Sequence, residues 1–157
     1  MKGYGYIMEK VESFELDHTL VKAPYVRKCC VQQGEKGDKI TKFDIRFTQP
    51  NVDEMQSEGI HTLEHLMATH LREKADYIID VSPMGCRTGF YMVTWGEHDV
   101  DEIIDIVTYT LEKVLEDTEI PAMNATQCGN YKLHSMELAK QYAGDVLSKG
   151  LSDKIFG

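Results

Sequence analysis

The stretch "VRKCCVQQGEKGDKITKFDIRF" (26–47) decides the fold. Residues 26–33 read as one strand, Gly34 to Gly37 as a turn, and 39–47 as a second strand with Ile40, Phe43, Ile45 and Phe47 on its apolar side. The alternation slips at Lys42–Phe43. So short a connection joins strands only antiparallel, because a parallel pair needs a crossover of a dozen or more residues. Outward from the hairpin, "TQPNVDEMQSEG" (48–59) carries Pro50, Asn51 and Gly59 and reads as a loop. A helix follows from about 60 to 74. "DYIIDVSPM" (76–84) and "GFYMVTWG" (89–96) are two further strands about the turn "GCRTG". "DVDEIIDIVTYTLEKVLED" (99–117) places Ile103, Ile104, Val107, Leu111, Val114 and Leu115 on one helical face. Pro121 lies in the next loop, and a last helix is expected from near Asn130 toward Gly150. Paired strands with helices between and after them predict an α+β fold, a mostly antiparallel sheet packed against helices, in a single domain over 1–157.

Composition narrows the function. The 157 residues hold 17 lysines and arginines against 26 aspartates and glutamates, a formal charge of −9. Nucleic acid and anionic membranes are bound through clustered cations, so neither is expected as a partner. No apolar run nears the roughly 18 residues of a membrane span. "MKGYGYIMEK" (1–10) lacks the apolar centre of a signal peptide, which makes a cytoplasmic protein the default. The four cysteines, Cys29, Cys30, Cys86 and Cys128, do not form a disulfide framework. In a reducing compartment they are free, catalytic or metal-bound.

"IHTLEHL" (60–66) places two histidines and a glutamate on an apolar helix. At about 100° per residue, His61 and His65 stand about 40° apart around the axis, one turn from each other, and can bind one ion. Glu64 lies beside them, close enough to handle a proton on a metal-bound group. His70 falls on the opposite face and is expected to be structural or solvent-facing. Inverted zinc-peptidase motifs use the same His-x-x-Glu-His spacing. A catalytic site typically has three protein ligands, and Cys128 in "NATQCGNY" (124–131) is the candidate third. His134, six residues on, points away from Cys128 if helical and is left out. A His2Cys set suits zinc or iron(II). Cys86 sits in a tight turn beside Arg87, a cation that would favour thiolate and make it a base or nucleophile. Cys29 and Cys30, on a strand, receive no role.

With these residues in view, the chain resembles the S-ribosylhomocysteine lyase family, the LuxS proteins of autoinducer-2 synthesis. The resemblance rests on "ESFELDH" (12–18), "KFDIRFTQPN" (42–51), "HTLEHLMATHLR" (61–72), "IIDVSPMGCRTGFY" (78–91), "EIPA" (119–122) and "QCGNYKLHS" (127–135), in that order. It implies an α+β homodimer with active sites at the interface. It implies His61, His65 and Cys128 as ligands of one divalent metal per chain, iron(II) by resemblance with zinc and cobalt as alternatives. Glu64 and Cys86 are implied as the acid/base pair, and Ser13, His18, Arg46 and Asp80 as substrate contacts. The implied reaction breaks the thioether of S-ribosylhomocysteine to homocysteine and 4,5-dihydroxy-2,3-pentanedione. Without the resemblance, "SFELDH" would read as a polar strand edge with a stray histidine. Residues 1–7 precede the point where most members begin, leaving Met8 as an alternative first residue or 1–7 as an extension.

Two rivals use the same residues. A small metallopeptidase would employ Glu64 as the base for water, with a carboxylate third ligand such as Glu102, Glu112 or Glu116. A structural metal domain would need a fourth ligand, and none is expected beside Cys128 or the histidine pair.

Overall fold

The computed structural model describes residues 9–157, so the expectation about residues 1–7 lies outside them. The elements are α1 (Glu12–Glu15), β1 (Tyr25–Gln33), β2 (Lys39–Arg46), α2 (Ser57–Lys74), β3 (Ile78–Pro83), β4 (Gly89–Trp95), α3 (Val100–Glu116) and α4 (Met136–Lys149). The strands form one sheet in the order β1-β2-β4-β3, antiparallel at every pairing. The expected α+β architecture is borne out.

The slip at Lys42–Phe43 has a simple cause. Val26 pairs with Ile45 and Phe43 with Met92, and all four are buried in the core. Residues two apart share a face, so Thr41, Phe43 and Ile45 point toward the helices. Ile40 falls instead with Lys42, Asp44 and Arg46 on the face away from α2, α3 and α4, opposite Trp95. Bulges at Lys28/Cys30 in β1 and Ile78/Asp80 in β3 bend the two outer strands.

The helices share one core with the sheet. α2 contributes Leu63, Leu66, Met67 and Leu71, α3 Ile103, Val107, Leu111 and Val114, and α4 Ala139, Ala143 and Val146. Leu115, expected on the apolar face of α3, is exposed. α2 and α4 cross closely at Gly59, where an added Cβ would stand 2.5 Å from Tyr142 Cε2 and 2.7 Å from Leu138 Cβ.

Three boundaries differ from expectation. α2 begins at Ser57, about a turn early. α4 begins at Met136 rather than near Asn130, because the Ser135 side chain caps it by accepting from Leu138 N. "SFELDH" carries a single helical turn, α1, rather than a strand edge. Among the described residues, no helix is long and apolar enough to cross a membrane.

Candidate metal centre and the cleft around Cys86

His61 and His65 stand one turn apart on α2, their rings 4.7 Å between centroids and nearly perpendicular. Cys128 comes from the irregular segment between α3 and α4. Asn124 shapes that segment: its Oδ1 accepts from Thr126 N at 3.1 Å and Gln127 N at 2.9 Å, and its carbonyl accepts from Cys128 N at 3.0 Å. This turn brings Cys128 Sγ to 3.5 Å from His61 Nε2 and 3.7 Å from His65 Nε2. The three expected ligands are together.

His134 joins them, contrary to expectation. Its Nε2 lies 3.9 Å from Cys128 Sγ, and its ring stacks on His61 at 3.9 Å. Residues before Met136 are not helical, so an advance of 100° per residue does not apply to 128–134. Ser135 immediately before an apolar run was the available signal, since it marks an N-cap and places His134 outside the helix. The expectation that no fourth ligand stands beside this group fails with it. His61, His65, Cys128 and His134 offer ligand atoms all within 4.8 Å of one another.

The donors are also aimed. His61 Nδ1 donates to the Leu133 carbonyl at 2.5 Å, and His65 Nδ1 to the Pro121 carbonyl at 2.8 Å. A carbonyl only accepts, so both imidazoles carry their proton on Nδ1 and turn a lone pair on Nε2 inward. His134 Nδ1 pairs with the buried Thr62 hydroxyl at 2.9 Å. Burial, with His61 and His65 adding to it, pushes the His134 pKa down to about 4, so this imidazole is neutral at pH 7. Tetrahedral thiolate and imidazole ligands, at about 2.3 and 2.0–2.1 Å from zinc, stand about 3.5 Å from each other. The separations and the donor set of one sulfur and three imidazoles fit such an ion.

The other candidate residues fall in two clefts. One, of about 340 Å³, adjoins the His/Cys group and is lined by Glu64, His65, Asp80, Pro121 and Gln127. The other, of about 570 Å³, is lined by Ser13, His18, Arg46, Cys86, Thr88 and Tyr91. Glu64 and Cys86 therefore line different clefts of the chain. In the second cleft the buried Arg46 gives Nε and Nη2 to the Asp44 carboxylate at 3.1 and 2.9 Å, and Nη1 to Thr88 Oγ1 at 3.0 Å. Cys86 Sγ is 3.1 Å from that same Thr88 oxygen. Arg87, the cation expected to favour a thiolate, is committed elsewhere: Nη2 donates to Glu54 at 2.6 Å. Arg46 takes its place as the cation behind Cys86.

His70 proves structural, bridging Glu73 at 3.0 Å and Asp117 at 2.7 Å. Burial raises the Cys29 thiol to about 12, which leaves it protonated and inert.

Fold and site together define an α+β protein with a His/Cys group able to hold a metal ion beside an acidic cleft. The S-ribosylhomocysteinase (LuxS) family model matches residues 11–155, and the chain belongs to that family. It is 58% identical over 149 residues to the S-ribosylhomocysteine lyase of Clostridium perfringens (strain 13 / Type A), covering 95% of this chain and 99% of the relative. The S-ribosylhomocysteine lyase of Clostridioides difficile (strain 630) is 57% identical over 150 residues, covering 96% of this chain and 99% of the relative. That of Lactobacillus acidophilus is 47% identical over 152 residues, covering 95% and 97%. The resemblance carried by the sequence motifs is borne out, and the chain is an enzyme of this family rather than a peptidase.

Proposed function

We propose that the chain cleaves the thioether of S-ribosylhomocysteine by carbonyl migration and β-elimination, releasing homocysteine and 4,5-dihydroxy-2,3-pentanedione. The observation that carries this is the convergence of His61, His65 and Cys128 beside the Glu64 cleft, in a chain of this family. His61, His65 and Cys128 hold one divalent ion per chain, iron(II) by family resemblance, with zinc and cobalt as alternatives. The bound ion supplies Lewis acidity toward a substrate carbonyl oxygen.

The chain's own residues move the protons. Cys86, as thiolate, takes the proton from C2 of the opened sugar and returns it at C1, which shifts the carbonyl from C1 to C2. The same exchange between C3 and C2 shifts it to C3. Removal of the C4 proton then sends its electron pair into a C4–C5 double bond. The pair of the C5–S bond leaves with sulfur, Glu64 protonates the departing thiolate, and the C4 enol left behind loses its hydroxyl proton and gains one at C5 to become the dione. Glu64 also carries protons among the substrate oxygens. Each such group contributes roughly 10²–10⁴-fold. Ser13, His18 and Arg46 bind substrate from one cleft and Asp80 from the other. A homodimer that apposes the two clefts completes the site, and the separation of Cys86 from Glu64 supports it. A cytoplasmic location suits four free cysteines.

Thiol release from S-ribosylhomocysteine, with metal counted on the same anaerobic sample, tests the reading. The parent is expected to release homocysteine, and Cys86→Ala to lose that activity with its metal retained. A fully metallated parent without thiol release sinks the lyase reading. A closed structural site is the second reading, favoured by His134 as a fourth donor. Under it, the ion holds the fold rather than the substrate, and chelation unfolds the chain.

A further inference from the structure

We propose that Thr88 is a positioning residue that links the buried Arg46 to Cys86, aiming its hydroxyl proton at the sulfur so that thiolate is favoured over thiol. The proposal rests on the reading of Cys86 as the base. Arginine has five donors and no acceptor. In the 3.0 Å contact between Arg46 Nη1 and Thr88 Oγ1, the hydroxyl oxygen therefore accepts. Its one proton is left to give, and Cys86 Sγ lies 3.1 Å away. Ionisation of Cys86 turns the sulfur from donor to acceptor without moving a heavy atom. The Thr88 hydroxyl then rotates its proton toward the sulfur.

Thr88 is well held for this task. It is 4% exposed, and its carbonyl accepts from Phe47 N at 2.8 Å and Thr48 N at 3.0 Å, so backbone and side chain are both fixed. Arg46 is 1% exposed and clamped by Asp44 through its other two nitrogens, so Nη1 has no freedom to turn away. Asp44 is itself shared with Arg27 Nε and Tyr25 OH, each at 3.2 Å, so its negative charge is spread over several donors. A hydroxyl that accepts from a cation is a better donor in turn, because hydrogen bonds in a chain polarise one another. The titratable and charged groups facing Cys86 are Arg46, Asp44 behind it, His18 and Tyr91 across the cleft, and Asp53 and Glu54 in the adjoining one. Arg87, next in the chain, is tied to Glu54.

Iodoacetamide alkylation of Cys86 in the full-length metallated protein, followed against pH by mass of the Cys86 peptide, tests the link. Thr88→Val keeps shape and removes the hydroxyl, while Thr88→Ser keeps the hydroxyl and removes a methyl. Valine is expected to raise the midpoint of alkylation by about one pH unit, a roughly tenfold change in the ionisation constant. Serine is expected to follow the parent. A valine profile that coincides with the parent's overturns the proposal, as does a serine profile that moves with valine's. Should valine prevent folding, Thr88→Ala is read in the same way. Turnover separates this from the reading beneath it: a Cys86→Ala protein that still releases thiol removes the base role, whatever the alkylation profile.

Discussion

His134 owes its place to where one helix begins, and it changes what the metal centre is. His61 and His65 were legible because helical spacing alone puts them on one surface, and Cys128 stood out as a thiol beside glycine. His134 was not legible from spacing, because the cap at Ser135 holds it outside α4 and lets its ring fold back onto His61. Its Nε2 faces the cluster while Nδ1 is held by Thr62, the same arrangement that fixes the other two imidazoles. A group so held contributes to affinity, and loss of comparable partners costs roughly 10–100-fold in metal binding. His134→Ala is accordingly expected to weaken the metal about 10–100-fold in a competition against a coloured chelator. An unchanged affinity would reduce His134 to a packing neighbour. Thr88 was equally hidden in the sequence, since several threonines flank the strands and only the fold shows which one meets a sulfur.

Elements were legible where burial imposes a period. The hairpin at 26–47 and helix α3 carry long apolar repeats, and both formed close to their expected bounds. α1 has four residues and none buried, so it leaves no periodic trace. What a period cannot reveal is how elements are fastened, and His70 is an instance. It lies near the end of α2 and reaches Asp117 at the end of α3, with Glu73 on its other nitrogen. Burial alone would lower its pKa, but the hydrogen bonds to Glu73 and Asp117 outweigh that and raise it. The hydrogen bond from His70 lowers the pKa of Glu73. The histidine's contribution is therefore full below its ordinary value near pH 6.5 and fades as pH rises through the raised value. The glutamate's is full above its ordinary value of 4.5 and fades as pH falls below it. The melting-temperature difference between parent and His70→Gln is expected to be largest between the ordinary glutamate and histidine values and to shrink as pH rises through the raised histidine value. A difference that stays level across that range would show that His70 fastens the helices as a neutral group.

At the scale of the whole molecule, the sheet divides the chemistry between its two faces. The metal residues come from α2 and the α3–α4 segment on the helical side. Arg46 projects from the opposite face, the one on which Ile40 pairs with a Trp95 that is 57% exposed. One chain thus offers Glu64 in one cleft and Cys86 in another, and on the dimer reading each site draws one from each chain. Sequence alone carried this only through family resemblance, because nothing in the spacing of residues 64 and 86 says which faces they occupy. The arrangement makes a sharp forecast for mixtures of two inactive proteins. Cys86→Ala and Glu64→Gln, unfolded together and refolded with metal, form mixed dimers as well as the two parents. In a mixed dimer one site carries both lesions, while the other takes Cys86 from the Glu64→Gln chain and Glu64 from the Cys86→Ala chain. With random pairing in a two-fold dimer, about half the dimers are mixed and about a quarter of all sites are intact. Thiol release should recover to about a quarter of the parent's, with each variant alone remaining inactive. If each site were built within one chain, every site in the mixture would still carry one lesion and no activity would return.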